Sequence, residues 1–509
     1  MIFLFLFNGF FVSTLQGADT NEYRTGGVLW EDPRTIPWIT EAKIKKKREL
    51  RASVDHSANM PPVRSQGSQG SCNAWAFGYY YKTYQEWREH GWDVTLPEHQ
   101  FSPSFIFNQV NGGIDGGVFI SDVLKMLLDH GCATLADCPY NAGDFLSWPS
   151  DTAYSNAISF RCDSAKWIYC GDTAGISALK SHIAGGDNAV LSVEIWDNFL
   201  YIDYFNNVYC VADIGPTFEY QGGHAVCIVG FDDDLMTNDG KGAFKFVNSW
   251  GTNWGDWGYG WISYEAVMND LTSFSWVYYT EDKNNYTPAL LAKFEIDHPV
   301  REGIRLKMMV GDTLNPDWEK IFFDWRKLED PACYVTPHSY PANNIVFDLS
   351  DADWRYSAEK DTIYLRVKDT LNDGLDGSLL YFGASYNGLS FPPAFDSSET
   401  RPIPDGEHII VSVCDYISVL SINSGFPNPF YDEVSVTYIH KRQGNVEISV
   451  NNLIGQRVKN FGSAEQPPGT YTVTWDGIND YGKKVPKGIY FLTIKAEDDQ
   501  VASKLVSIW

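Results

Sequence analysis

Helical patterning in this chain comes first and strand patterning follows, and that order limits the fold more than any other feature. Trp75 to about Glu89 has no Pro and one Gly before Gly91. "FISDVLKMLLDHG" is amphipathic and closes on Gly131, and "AGISALKSHIAGG" closes on Gly185 and Gly186. Strand-like runs then take over: "NAVLSVEI", "GHAVCIVGFDD", "GAFKFVNSW" and "GYGWISYEAV". Helices first and strands second predicts an α+β domain over 48–282 rather than repeating βαβ units. From 283 to 418 no good helix is legible, and short runs such as "GIRLKMMVGD" and "DTIYLRVKD" between turn residues predict a β-sandwich. From 419 to 509, "EVSVTYIH", "NVEISVNNL", "GTYTVTWDG" and "GIYFLTIKA" alternate apolar and polar residues, which predicts a small immunoglobulin-like sandwich.

The ends and the charge narrow the setting. Ile2–Val12 is an apolar run followed by the small residues Gly17 and Ala18, so 1–18 reads as a signal peptide, although no Lys or Arg precedes the run. Residues 19–47 are polar, ending in "AKIKKKREL", and read as a linker or short pro-segment. A net charge of -26 argues against nucleic acid or anionic lipid as the main partner. No stretch other than the leader is apolar enough to suggest a membrane span. Export permits disulfides, but nine cysteines leave at least one unpaired within the chain, and the sequence does not give the pairing. No CxxC zinc pattern or Walker-type loop occurs, so neither a metal nor a cofactor is expected. "DTLNDGLDG" (Asp369, Asn372, Asp373, Asp376) offers oxygen ligands without EF-hand spacing, and a plain turn or a calcium loop both fit. Asp232, Asp233, Asp234 and Asp239 read as solvated loop acids.

Cys72 stands after the Gly-rich "QGSQGS" and just before the first helical pattern. A thiol there would sit at the positive end of a helix dipole, which favours the thiolate. A base is supplied by His224 in "YQGGHAVCIVGFDDD", where Gly223 leaves room for a substrate backbone. A third group must orient the imidazole. "FKFVNSWGTNWGDWGYG" supplies Asn248, with Trp250 placed to shield the Asn–His hydrogen bond from water. Both follow Cys72 at slightly more than the usual spacing of roughly 130–150 residues. Cys227, on the same run as His224, reads as a free core thiol.

With these residues in place, 48–282 resembles the papain family of cysteine peptidases. "PPVRSQGSQGSC", "GGHAVCIVGFDDD" and "NSWGTNWGDWGYG" are similar to its three motifs. The resemblance implies Cys72 as nucleophile, His224 as base, Asn248 as orienting residue and Gln66 as side-chain donor to the oxyanion. It also implies that Gly116 and Gly117 bind extended substrate backbone, although "NGGIDGG" contains two Gly pairs. Gln69 stands where the family has a disulfide cysteine and Asn73 where it has an aromatic, both features of a bacterial branch. The family's long helical propeptide does not fit within 19–47. "INSGFPNPFYDEVSVTYIH", "LIGQ", "WDG" and "PKGIY" resemble the C-terminal sorting domain of the type IX secretion system, a relative of flagellar hook-cap immunoglobulin-like modules. Together these imply a secreted or cell-surface endopeptidase acting on protein or peptide substrates, with the outer-membrane secretion machinery as a further partner. The alternatives are an inactive papain-fold adhesin whose β-domains carry the function, and an acyl transferase using the same three residues.

Overall fold

The computed structural model describes residues 23–43, 51–270, 272–311, 313–352, 362–390, 393–395, 398–414, 420–422, 428–440, 444–496 and 499–507. The signal peptide expected at 1–18 lies outside them. The chain divides into two compact units. The first takes residues up to 288 together with 296–304 and 323–348, and the second takes 289–295, 305–322 and 349–509. Three segments assigned from sequence to the middle sandwich, 283–288, 296–304 and 323–348, therefore group with the first unit.

The first unit is built on one long helical run. It starts as an α-helix at Cys72–Ala74, widens to a π-helix over Trp75–Lys82 and returns to an α-helix at Thr83–His90. Gly91 ends it in the left-handed region at φ 67°, its N–H donating to the Trp87 carbonyl. Trp75, Phe77, Tyr79, Tyr80 and Tyr81 are all buried, so the run lies inside the unit rather than on its surface. Removing one such ring, as in Phe77→Ala, costs about 3–5 kcal/mol. Lys82 is also fully buried and pairs with Glu86 at 2.6 Å and Asp282 at 2.7 Å, which fastens the helix to the strand Ser273–Asp282.

A nine-stranded sheet faces these helices. Its centre runs Cys162–Tyr169, Ser273–Asp282, Ala189–Trp196, Tyr220–Thr237, Gly240–Val247 and Tyr259–Ser263 in spatial order. Val193 stands opposite His224, and Cys227 stands opposite Val247. The run "GYGWISYEAV" is strand only to Ser263. The Ser263 hydroxyl then accepts from Ala266 N–H at 2.9 Å and caps a short helix, Tyr264–Met268.

The linker read at 19–47 has structure where it is described. Val28–Leu29 pairs in parallel with Val118–Phe119, and Ile39–Glu41 joins the large sheet beside Cys162–Tyr169. A short helix, Arg326–Glu329, interrupts the region expected to hold strands alone; Asp122 accepts from the backbone N–H groups of Arg326 and Lys327 at its start.

The second unit is all-β. Trp318–Phe322, Ile304–Gly311, Thr362–Asp369 and His408–Cys414 form one four-stranded sheet. Its C-terminal part packs two antiparallel sheets over a shared core. Val434–His440 and Gly469–Trp475 belong to one sheet, and Gly444–Asn452 and Gly488–Ala496 to the other. Trp475, Tyr438, Val450, Leu492 and Ile494 fill the space between them, as the period-2 pattern predicts.

Candidate active site

Three segments meet around Cys72. The thiol opens the helical run. Its approach is fixed by Gly70 N–H donating to Asp115 at 2.7 Å and by Asn73, whose amide donates to the Val118 carbonyl at 2.9 Å. His224 lies on the central strand Tyr220–Thr237, and the backbone N–H of its neighbour Ala225 reaches the Cys72 sulfur. Asn248 follows the strand Gly240–Val247. Its N–H donates to the Gly258 carbonyl at 2.9 Å, and its carbonyl accepts from Tyr80 OH at 3.0 Å.

His224 Nε2 lies 2.8 Å from Asn248 Oδ1, and both residues are fully buried. That bond holds the ring with Nδ1 free: His224 Nδ1 has no hydrogen-bond partner among the described residues. The Trp250 ring centre sits 4.7 Å from that of the imidazole, tilted against it.

Gln66 is buried beside Asn248 because its segment pairs with the one carrying Trp250. Gln66 N–H donates to the Ser249 carbonyl at 2.8 Å, and Ser65 bridges Trp250. Ser249 OH donates to Gln66 Oε1 at 2.5 Å, while Gln66 Nε2 donates to the Gln69 carbonyl at 2.8 Å. One amide hydrogen of Gln66 is thus committed to fixing the side chain and the second is left for a ligand.

The two Gly pairs of "NGGIDGG" separate cleanly. A Cβ on Gly113 would stand 2.3 Å from the Thr336 carbonyl oxygen, so that pair serves packing. Gly116 and Gly117 lie at the cleft, and Lys327 Nζ donates to the Gly117 carbonyl at 2.7 Å. Burial pulls the Lys327 amine down to about 8.

The cleft is occupied by the chain's own N-terminal segment. Gly26 N–H donates to the Gly223 carbonyl at 3.0 Å, and Val118 N–H donates to the Gly27 carbonyl at 3.1 Å. Thr25 OH donates to the Gln221 carbonyl at 2.5 Å, and Tyr23 stacks on Trp250 at 4.9 Å. A Cβ on Gly27 would lie 2.5 Å from the Cys72 sulfur and 2.8 Å from the Gly70 carbonyl oxygen. This strap passes directly over the thiol and meets Gly117, Gly223 and Trp250.

Occlusion reverses the electrostatics expected from the helix terminus. Burial pushes the Cys72 thiol up to about 12 and outweighs the backbone N–H groups that favour the thiolate. Burial likewise pulls His224 down to about 4, against the Asn248 hydrogen bond. Thiol and imidazole are both neutral in this closed state. Cys227 is a buried free thiol, and the eight cysteines whose side chains are described are all free.

Among the described residues, Glu86, Glu89 and His90 gather with metal-like spacing, but Glu86 already binds Lys82 at 2.6 Å. In the "DTLNDGLDG" turn, Asp369 and Asp373 accept from backbone N–H groups of the turn, and Asp376 accepts from Asp405 N–H. The plain turn accounts for these contacts.

Sequence reasoning missed the strap, Ser249, Asn73 as an anchor and Lys327. The strap's legible signals are the pair Gly26–Gly27 and the apolar run Val28–Trp30 that follows it.

Residues 47–275 match the model of the papain family cysteine proteases. The chain carries a papain-like cysteine peptidase domain. Residues 432–500 match the FlgD Ig-like domain. A peptidase C1-like protein of Acanthamoeba polyphaga mimivirus is 27% identical over 221 residues, covering 42% of this chain and 68% of that protein. The cathepsin B-like CP3 of Giardia intestinalis is 28% identical over 237 residues, covering 45% of this chain and 74% of its own. Xylellain, a cysteine protease from Xylella fastidiosa, aligns at a TM-score of 0.41 and 25% identity, over 51% of this chain and 97% of its own.

Proposed function

We propose that this chain is an exported cysteine endopeptidase, held latent by residues 23–31. The observation that carries this is the 2.8 Å His224–Asn248 bond, which leaves Nδ1 without a partner among the described residues on the strand whose Ala225 N–H reaches the Cys72 sulfur. Once the strap leaves, water and the substrate carbonyl enter. The Cys72 proton passes to His224, and the thiolate sulfur attacks the carbonyl carbon. The oxyanion takes hydrogen bonds from the second amide hydrogen of Gln66 and from the Cys72 N–H. One such donor contributes about 3–4 kcal/mol to the transition state. The imidazolium gives its proton to the leaving amine, and Asn248 keeps the ring in plane throughout. Water, deprotonated by His224, then attacks the thioester carbon and releases the acid and the thiol.

The C-terminal sandwich supports export through a type IX machinery and a secreted or surface location, because its strand pattern and Ig-like family match that role. Cys72→Ala should abolish cleavage of casein and labelling by a thiol-directed epoxide. Undiminished cleavage by that variant overturns the peptidase reading. Retention of full secretion after deleting residues 419–509 overturns the sorting role.

A further inference from the structure

The N-terminal segment changes character at Val28. Residues 23–27 lie on the cleft, and Gly27 alone of the five is buried. From Val28 onward the chain is built into the first unit. Val28, Glu31, Ile36 and Ile39 are buried. Val28–Leu29 pairs with Val118–Phe119, and Ile39–Glu41 pairs with Ala165–Trp167 as a strand of the nine-stranded sheet. Ala42 N–H extends that pairing, donating to the Trp167 carbonyl at 2.9 Å. Between the two strands, Arg34 Cζ lies 5.2 Å over the Trp276 ring. Freeing residues 23–27 breaks a few separate contacts, whereas freeing 28–43 also strips a strand from a sheet and bares apolar side chains.

Glu31 carries this tail into the site. The helix Ile120–Asp129 begins three residues after Gly117, and Phe119 at its N-cap position makes no side-chain cap. The first N–H groups of a helix need an acceptor from outside it. Glu31 supplies one from 90 positions earlier in the chain. Its carboxylate accepts from Ser121 N–H at 2.6 Å and from Ser121 OH at 2.7 Å, and a negative group suits that end of the helix. Arg326 donates to the same carboxylate at 3.0 Å. The next residue, Lys327, donates to the Gly117 carbonyl at 2.7 Å. Asp122 ties the two together by accepting from Arg326 N–H at 2.6 Å and Lys327 N–H at 3.0 Å. Gly117 is therefore held in a closed circuit that runs through Ser121, Glu31, Arg326 and Lys327 and back to its own carbonyl. The last two residues lie beyond the 47–275 span that matches the family, so the circuit belongs to this chain.

We propose that residues 28–43 are a permanent part of the working peptidase, that only 23–27 lift from the thiol, and that Glu31 is a positioning residue which sets the substrate-binding strand at Gly117 through Ser121 and Arg326. The proposal rests on the peptidase reading above. One continuous segment then has two roles. Its first five residles cover the nucleophile, and its tail caps the helix that follows the cleft's glycines.

The test labels the active full chain with a biotinylated peptidyl epoxide, recovers it under native conditions and reads by mass which N-terminal residues accompany it. Residues 28–43 are expected with every labelled molecule, in the same chain or as a bound fragment. Labelled, active enzyme recovered without them overturns the proposal. Glu31→Gln and Glu31→Ala are then compared in the full chain, with rates referred to epoxide-titrated sites. Each should raise KM severalfold with kcat nearly unchanged, and should add little to the KM of Lys327→Met, because both act on Gly117. Arg326→Met should raise KM likewise, and Arg326→Lys, which keeps a cation facing Glu31, should recover part of the loss. Parental KM in both Glu31 variants, or effects that multiply with that of Lys327→Met, overturn the positioning role while leaving the peptidase intact. No epoxide label on Cys72 and no peptide hydrolysis in any form of the chain instead overturn the peptidase reading on which the proposal depends.

Discussion

Substituting Gly27 by Ala separates latency from catalysis. Gly27 is not among the positive-φ residues, so its backbone accepts a side chain, and only the space forbids one. The added methyl would meet the Cys72 sulfur at 2.5 Å and the Gly70 carbonyl oxygen at 2.8 Å. Ordinary contact needs about 1 Å more, so the strap must lift. Lifting breaks the flanking bonds, Gly26 N–H to the Gly223 carbonyl and Val118 N–H to the Gly27 carbonyl. At about 0.5–1.5 kcal/mol each, the closed state loses about 1–3 kcal/mol, or about 5- to 150-fold in the open population. The assay is the rate of iodoacetamide capture at Cys72, read by mass on the Cys72 peptide, with peptide hydrolysis measured in parallel. Both rates should rise by that factor in Gly27→Ala. Parental rates in the variant, or a slower capture, would refute strap closure as the cause of latency.

Other outcomes follow from the same geometry. His224 is held near 4 when closed and returns towards about 6.5 when open, so the open state takes up a proton that the closed state refuses. Closure is therefore strongest between about pH 6.5 and 8.5: it weakens as pH falls towards 4 through His224, and again above about 8.5, where the opened Cys72 ionises while the closed thiol, near 12, does not; a lag before hydrolysis should shorten on both sides of that window, and a pH-independent lag argues against the linkage. Ser249→Ala removes the 2.5 Å anchor of Gln66 and should lower kcat by about tenfold with KM nearly unchanged, whereas a pure KM effect would mean Gln66 does not serve the oxyanion. Lys327→Met strips the Gly117 carbonyl of its 2.7 Å donor and should raise KM severalfold while sparing epoxide labelling of the opened thiol. Tyr23→Ala removes the stack on Trp250, worth about 0.5–1.5 kcal/mol, and should speed Cys72 capture less than Gly27→Ala does.

Much of the site is legible in the sequence because its parts are local. His224 and Gly223 are neighbours on one strand, and Asn248, Ser249 and Trp250 are consecutive, so a short motif carries their geometry. The burial of Trp75–Tyr81 also follows from an aromatic run too apolar for a surface helix. What escaped is long-range. Lys327 reaches Gly117 from a segment that reads as sandwich, because hydrophobic alternation says nothing about which unit a loop packs on. The thiol's state when covered was not legible for the same reason. A helix terminus is visible in "SQGSCNAW", but the nine residues that cover it, 23–31, read as polar linker, and their desolvation outweighs the dipole.

The strap uses the cleft's own recognition atoms, and that limits how latency can be altered. The Gly223 carbonyl, Val118 N–H and the Trp250 ring are all engaged by residues 23–28. A substrate backbone lying between the same two edges must compete for those atoms. Mutating the cleft therefore weakens strap and substrate together, and the net rate moves little. Changes confined to the strap side, at Tyr23, Thr25 or Gly27, act on closure alone. The strap is also the weaker competitor by composition. Gly26 and Gly27 bring no side chain to the pockets beside the thiol, and Glu31 anchors the segment outside the cleft, through Ser121 at 2.6 Å and Arg326 at 3.0 Å. A segment held at its far end, with two glycines over the nucleophile, covers the thiol with backbone rather than with a side chain.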